Sequence, residues 1–528
     1  MKRNFVLGLL MLAACLYFTA GTAQAIDLFD GDVVIHGKVS EQLLMRAHDT
    51  RSWEQYDYTV FNARSTLKLE TMYHALKGPD YQLNFYGVFK QFYDAADHID
   101  GEYKRMLYAA AGGTDKSINE ARSYSNFKDI CREMYAELNG PMFQVRLGKQ
   151  IVSWGETSFE RMVDQVNPID QRGNLNPAYP DFAEIKQGLW MGRFFFTPPD
   201  QIMDMTYELL LIPDFEPTIN NPVGYHNLHP RAYNSLNNPN EMFEAYYRDA
   251  PSDSFSKMEW GGRIRGFLAG WDWTLSFFNH RVDDGVLGPD RALKQGIGPA
   301  LGSTNLTRNA DFSFMHLNHL YPLSDTYRYP WQQDVGFTVN KPVDVRIPII
   351  PGTDLAMTGN IFRMEALWEH NKPALHVEAL AGLKSRLTRQ DRYAVCLRWD
   401  TKVFMPFITP LCRNKLLSWG TQIFYEKMPD KHSSDYYYPW VTYEKSRSSW
   451  TMISQELSYE LWNGRILPGF YGAWYCNNGG GYWAPAIGFK PQYGHTFLVR
   501  YLAYSHLKDS PSNVDSKDSW TFEYTYEF

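Results

Sequence analysis

"SWTFEYTYEF", Ser519 to Phe528, decides the fold. Every second residue from Trp520 onward is aromatic: Trp520, Phe522, Tyr524, Tyr526 and Phe528. Between them stand Thr521, Glu523, Thr525 and Glu527, all polar. A strand points successive side chains to opposite faces, so this one has a wholly aromatic face and a wholly hydrophilic one. In a soluble sandwich the aromatic face would enter a core and the chain would run on into a turn. Here the sequence stops on the aromatic. The pattern suits a strand with lipid on one side and water on the other, closing a barrel that leaves no backbone edge unpaired.

The other end reads "MKRNFVLGLLMLAACLYFTAGTAQA", a basic start, an apolar run and a small-x-small exit at Ala23 to Ala25. Residues 1–25 are therefore expected to be a secretory signal and 26–528 the mature barrel. Lipoprotein processing at Cys15 is the alternative, but the apolar run continues through Leu16, Tyr17 and Phe18. Beyond Ile26 no stretch approaches the ~18 consecutive apolar residues of a membrane helix. The longest, Val403 to Leu411, is interrupted by prolines. Aromatic content of 16% with a mean hydropathy of only -0.42 fits a barrel whose polar lumen dilutes its lipid-facing residues. A formal charge of -7 leaves no electrostatic footprint for nucleic acid. Cys131, Cys396, Cys412 and Cys476 are too scattered for a disulfide scaffold. Cys396 and Cys412 either pair near a turn or pack as small buried residues.

The alternation recurs inward from the C-terminus. Phe61, Ala63, Ser65, Leu67 and Leu69 oppose Asn62, Arg64, Thr66, Lys68 and Glu70, and after "LKGPD" the pattern resumes from Tyr81 to Lys90. Trp260 to Leu268, Ala269-Gly270 and Trp271 to Phe277 read as a tight hairpin. Phe362, Met364, Ala366 and Trp368 precede "NKP", Asn371 to Pro373, which reads as another turn. Strands placed wherever the pattern holds number roughly 18, with about 14 or 16 if doubtful hairpins merge. The first runs near Val33 to Arg46. With the N-terminus in the periplasm, "LKGPD", "NGP", "TPPD", "AG", "NKP", "WNGR" and "KPQYG" all become periplasmic turns. Asp97 to Lys128, Gly155 to Glu184, Pro213 to Ser256 and Asp283 to Lys341 become long outer loops. Short inside and long outside is the asymmetry of such barrels.

The densest polar constellation is "VRLGKQIVSWGETSFERMVDQVNPIDQRG", Val145 to Gly173. It leaves a strand at Trp154-Gly155 and enters the third outward loop, which by analogy of position with general porins would fold into the lumen. Arg146, Glu156, Arg161, Asp164, Asp170 and Arg172 are the candidate constriction residues, since opposite charges facing across a narrowing select solutes by size and charge. Loop salt bridges are the alternative role for Glu156, Arg161 and Asp164. Tyr86 and Val88 on an otherwise polar face point to a semi-apolar interior.

"LGKQIVSWGE" followed by "VNPID" resembles the signature of the Gram-negative outer-membrane proteins grouped as the domain of unknown function 1302 family. "NIFRMEALWEHNKP", "RWDTKVFMPF" with "WGTQIFYE", and the aromatic C-terminus are similar to the same family. The stretch after Asp170 departs from its pattern, so Trp154, Gly155, Glu156, Asn167 and Pro168 carry the likeness. The resemblance implies a porin-like barrel, sometimes encoded with exporters and periplasmic lipid-carrier-like proteins, and no settled substrate. It also implies that the terminal aromatic strand serves as the signal read by the barrel assembly machinery.

Enzyme signatures are absent: no G-x-S-x-G, H-E-x-x-H, P-loop or C-x-x-C-H. His226 with His229, and His316 with His319, have metal-compatible spacing but no third ligand, and read as loop histidines. His432 to Asp435 is a polar loop. No enzyme activity, cofactor or metal is expected. The leading expectation is an outer-membrane channel for small solutes or hydrophobic, lipid-like molecules, in contact with membrane lipids, with tryptophans and tyrosines forming interfacial girdles. A barrel that serves as conduit or docking partner for an export or electron-transfer assembly, with a periplasmic carrier or exporter as partner, is the alternative. A secreted polysaccharide-binding sandwich is the third, and Phe528 argues against it.

Overall fold

A computed structural model describes residues 25–47, 59–102, 104, 122–124, 126–157, 161–170, 182–199, 203–219, 254–283, 286–287, 327–351, 353–378, 384–405, 416–429, 436–438, 449–477, 479–505 and 518–528. The expected leader, Cys412, Arg172, both H-x-x-H pairs and the His432 loop lie outside them. In chain order the wall strands are β1 (Val33–Arg46), β2 (Val60–Lys77), β3 (Gln82–Asp94), β4 (Cys131–Asn139), β5 (Phe143–Gln150) and β6 (Leu189–Phe196). Next come β7 (Thr206–Ile212), β8 (Glu259–Leu268), β9 (Trp271–Arg281), β10 (Trp331–Val343), β11 (Ala356–Glu378) and β12 (Lys384–Phe404). β13 (Leu416–Lys427), β14 (Ser449–Ser458), β15 (Ile466–Tyr475), β16 (Gly480–Phe489), β17 (His495–Tyr504) and β18 (Ser519–Glu527) complete the wall.

Each strand pairs antiparallel with the next, and β18 returns to β1, from Lys38 opposite Glu527 to Arg46 opposite Ser519. The result is a closed 18-strand antiparallel barrel. Three short strands, Ile26–Leu28, Ile347–Pro348 and Tyr436–Tyr438, extend its margins. Closure removes the edges that an open sheet would expose. The final phenylalanine belongs to the seam: Phe528 N–H donates to the Gly37 carbonyl (2.9 Å) and Gly37 N–H to the Phe528 carbonyl (2.8 Å). The Phe528 ring fills the space that a Cβ at Gly37 would need, so glycine there lets the last aromatic lie flat on β1.

Period-two alternation fixes which side chains face the bore. Leu67, Phe85, Leu147, Trp190, Leu209, Trp260, Trp368, Trp474, Ile487, Trp520 and Phe522 are exposed on the outer face. Arg64, Lys90, Arg193, Glu208, Thr338, Glu365, Gln422 and Ser454, on the opposite face, are buried. Polar inside and apolar outside inverts the order of a water-soluble protein and matches a wall bathed in hydrocarbon. No helix among the described residues is long and apolar enough to cross a membrane. Tyr524 departs from its exposed neighbours: Phe497 packs on its ring and its hydroxyl meets His495 Nδ1 at 2.9 Å, so it is buried.

One end of the barrel carries tight connections. Ala269-Gly270 turns with both residues at positive φ (51° and 81°), the backbone of a two-residue hairpin. The opposite end carries the connections 95–130, 151–188, 213–258 and 282–330. Two expectations are corrected. Asn371 to Pro373 is not a turn, because β11 runs 23 residues straight through it. The register shifts between Glu369 and Lys372, and Asn371 at φ 59° absorbs the extra residue. Asn and Pro suit a bulge for the same reason that they suit a turn. The loop expected up to Lys341 ends at Trp331, where Val335, Phe337 and Val339 alternate with Asp334, Gly336 and Thr338 in β10. Cys396 is a free thiol packed among buried apolar side chains of the bore face, so of its two expected roles it takes that of a small buried residue.

Candidate functional site

β5 releases the chain at Gln150, and residues 151–188 return to the wall only at β6. Asn167 draws the two limbs of this connection together. Its Oδ1 accepts from Val152 N–H (2.7 Å), and its Nδ2 donates to the carbonyls of Gln150 (3.0 Å) and Gln187 (2.8 Å). An amide supplies both a donor and an acceptor, which neither aspartate nor leucine could do there. Arg161 donates to the carbonyls of Asp164 (2.9 Å) and Asn167 (2.5 Å). Asp164 accepts from Trp154 N–H (3.2 Å) and forms an ion pair with Lys186. Lys186, fully buried, also donates to the Val152 carbonyl (3.1 Å) and Ser153 Oγ (2.7 Å). Pro168 accepts from Gln187 N–H (2.8 Å), and Asp170 N–H donates to the Ile185 carbonyl (2.6 Å). A buried charge is tolerated when its counter-ion and its remaining hydrogen bonds are all supplied, as they are for Lys186.

The knot so formed presses an apolar face on the wall. Trp154, 2% exposed, meets Phe278 of β9 edge-on at 6.0 Å between ring centroids, with the Arg263 guanidinium 5.8 Å from its ring. Gly261 and Gly336 make room: a Cβ at Gly261 would sit 3.0 Å from the indole, and one at Gly336 2.6 Å from Val163. Gly155 lies similarly tight against Asp164, at 2.9 Å. The carboxylate of Glu365, on β11, accepts from Glu156 N–H, Thr157 Oγ1 (3.4 Å) and Val163 N–H (3.4 Å).

At its far end the connection forms a short helix, α1 (Phe182–Ile185), whose Glu184 sits between Lys90 of β3 (2.7 Å) and Lys68 of β2 (2.9 Å). Burial opposes ionisation of Glu184, but Lys90 and Lys68 outweigh it and hold the carboxyl well below the usual carboxylate range. β2 and β11 are diametrically opposed in an 18-strand ring. The described residues of the connection 151–188 are thus tied to both sides of the barrel.

Of the residues singled out in the sequence, Arg161, Asp164, Asn167, Pro168 and Asp170 come together in this knot, with Trp154 and Gly155 at its contact with the wall. Arg146 stands on β5 and pairs with Glu137 of β4 (2.5 Å), its side chain part-exposed. Glu156 contributes its backbone to Glu365, and the residue is part-exposed. Glu365, Lys186, Glu184, Lys68 and Lys90 were not among the candidates, although Glu365 lies inside the quoted "NIFRMEALWEHNKP". The signal of Lys68, Lys90 and Glu365 was a charge on the bore-facing register of a strand, which alternation alone does not rank, and Glu184 and Lys186 lie in the connection, where alternation says nothing.

A closed barrel with an aromatic outer face and a connection tied to both sides of its wall defines a membrane-type β-barrel. The family model described as "Protein of unknown function (DUF1302)" matches residues 6–528, so the chain belongs to that family. Curated protein sequences give no match. Among solved structures the chain is similar to Acinetobacter baumannii OccAB2, at 9% identity and a TM-score of 0.47, covering 94% of this chain and 98% of that one. Pseudomonas aeruginosa OpdK, crystallised with vanillate, gives 8% and 0.47 over 94% and 98% of the two chains. Salmonella typhi OmpF, in complex with daunomycin, gives 8% and 0.39 over 96% and 100%.

Proposed function

We propose that this barrel is a channel in the outer membrane of a Gram-negative bacterium, passing small solutes or apolar, lipid-like molecules through a bore that the connection 151–188 narrows. The observation that carries this reading is the double anchorage of that connection, to Lys68 and Lys90 on one side and to Glu365 on the other. A segment that merely capped the barrel would need no buried ion pairs to hold it across the interior. Within the expected constriction set, Arg161, Asp164 and Asp170 act through the loop's scaffold, whereas Arg146 and Glu156 keep part of their surface and set charge preference. Arg172 lies outside the described residues.

The test is single-channel recording of the purified protein in a planar bilayer, beside Glu156→Gln. An open channel whose cation preference falls in the variant supports the reading. A protein that inserts and stays closed, in wild type and in a Glu365→Ala variant that releases the strap, overturns it and favours a conduit that opens only on a periplasmic partner.

A further inference from the structure

Barrel strands rarely contain proline, because it has no N–H for the ladder. Four prolines lie in the wall here: Pro342, Pro373, Pro468 and Pro485. Pro342 and Pro468 sit near strand ends and Pro373 lies beyond the β11 bulge. Pro485 alone occupies the middle of its strand, β16. The β16–β17 register runs Tyr482 opposite Tyr504 and Trp483 opposite Ala503, then lapses and resumes at Ala486 opposite Arg500. The lapse falls on Ala484 and Pro485, facing Leu502 and Tyr501. The Gly481 carbonyl accepts from Ser505 N–H (2.9 Å). Hydrogen-bonded positions recur at every second residue, so the N–H that proline lacks is the one β16 would have given to Tyr501.

The chemistry on both sides of this gap is apolar. Toward the bore stand Tyr482, Ala484, Leu502 and Tyr504, all buried. Outward stand Trp483 and Ile487, both exposed. Arg500 is the single charged residue that β16 and β17 turn to the bore. Leu502 is 0% exposed, so the seam is shut in this structure and its side chains must part to pass anything. At this height of the wall the β16–β17 ladder is interrupted and its side chains are mainly apolar, with Arg500 the nearest charge.

We propose that the β16–β17 seam is a side opening through which an apolar or amphiphilic compound with a hydrocarbon chain moves between the bore and the hydrocarbon layer of the membrane. The inference rests on the channel reading and adds to it a lateral exit. Pro485 supplies the weak point, and Ala484 and Leu502 form the leaflets that separate.

The test reconstitutes the full-length protein in vesicles containing a phospholipid with a diazirine at the end of one acyl chain. After illumination, adducts are mapped by mass spectrometry. Bore-facing Leu502 and Tyr504 should be labelled in the wild type, beside the outer-face control Ile487. A second preparation carries Ala484→Cys and Leu502→Cys, with Cys412 and Cys476 replaced by alanine. A non-hydrogen-bonded pair brings Cα atoms within about 4.5 Å, inside the range a disulfide spans. Oxidation should cut labelling of Tyr504 roughly tenfold, leave Ile487 labelled, and be reversed by reduction. Pro485→Val, which restores the donor to Tyr501, should lower bore-face labelling without any cross-link. Bore residues unlabelled in wild type while Ile487 reacts, or labelled equally with the seam locked and free, would overturn the proposal. Ion conductance of the same preparations keeps the two readings apart: lost labelling with intact conductance isolates the side route, and labelling without conductance sinks the axial channel alone.

Discussion

The two halves of the wall are built on different chemistry. From β2 to β12 the bore face carries a series of ion pairs between apolar patches such as Met191, Leu210 and Leu367. Lys68 and Lys90 clasp Glu184, Glu208 joins Arg193 (2.5 Å) to Arg263 (2.8 Å), and Asp334 meets His280 (2.9 Å). Arg398 closes on Asp400 (2.8 Å). From β14 to β17 the same face carries Met452, Tyr471, Ala473, Tyr482, Ala484, Leu502 and Tyr504. The glycines Gly469, Gly472 and Gly481 thin that wall further. The charged half holds an inserted segment in place, which requires directional partners at fixed positions. The apolar half has few charges, chiefly Glu456 reaching Arg398 (3.8 Å) and Arg500, and its side chains are packed by non-directional contacts that place less demand on position. Position in the ring therefore predicts how each half responds to substitution.

The largest response is expected at Lys186. Lys186→Met removes the cation from a fully buried pair and leaves Asp164 with a charge and no counter-ion. Breaking a buried pair in this way costs about 3–5 kcal/mol. The knot at 151–188 should loosen while the barrel persists, read as a new low-denaturant transition in tryptophan fluorescence from Trp154 and as larger single-channel conductance. A change confined to global unfolding, with no early transition, would show that the connection and wall form one cooperative unit.

Glu365→Ala ranks second. It strands the donors of Glu156, Thr157 and Val163 near the wall, at about 1–3 kcal/mol for groups left unsatisfied. The β11 end of the strap should lift, raising conductance while the α1 end stays fixed. Glu365→Gln keeps one acceptor oxygen and should fall between the two. Equal conductance in all three proteins would mean that the strap is held by Trp154 and Val163 packing alone.

Glu184 sharpens the comparison through pH. Its folded pKa lies below the ordinary value, so its contribution is full above the unfolded glutamate range and is lost as pH falls through the folded value. Wild-type conductance should therefore hold steady as other carboxylates titrate and rise only in stronger acid. Glu184→Gln removes the charge that Lys68 and Lys90 share, and should give the raised conductance already at neutral pH. A wild-type rise centred near the ordinary glutamate value would place the anchorage elsewhere.

These responses also mark what the sequence could disclose. Period two is written in residue types, so "SWTFEYTYEF" and the Trp260 to Phe277 hairpin announced a barrel wall, its two faces and its closing strand. Asn371 to Pro373 misled because the residues that turn a chain also seat a bulge, and only the partner strand distinguishes them. The motif from Trp154 to Pro168 could be seen as a constellation. Its anchors could not, because alternation tells that Glu365 faces the bore and not that residue 156 lies against it from 209 positions away. Register between distant segments is set by closure of the whole ring, which no local pattern encodes.

The smallest effect separates fit from charge on the strap itself. At Gly336 a Cβ would lie 2.6 Å from Val163 Cγ1 and 2.6 Å from Ser276 Oγ. The Ser276 hydroxyl can turn away, and the stiff Val163 can give by a small shift of the connection that carries it, so Gly336→Ala should cost about 1 kcal/mol, the low end for overpacking. No ion pair is touched, so its conductance should keep the wild-type pH profile while the 151–188 transition shifts slightly to lower denaturant. Val163→Ala in the same chain should restore that shift, because the added methyl then occupies the volume just removed. Failure of the pair to compensate would show that Ser276 rather than Val163 limits the approach, and would move the contact that seats the strap from the loop to the β9–β10 wall.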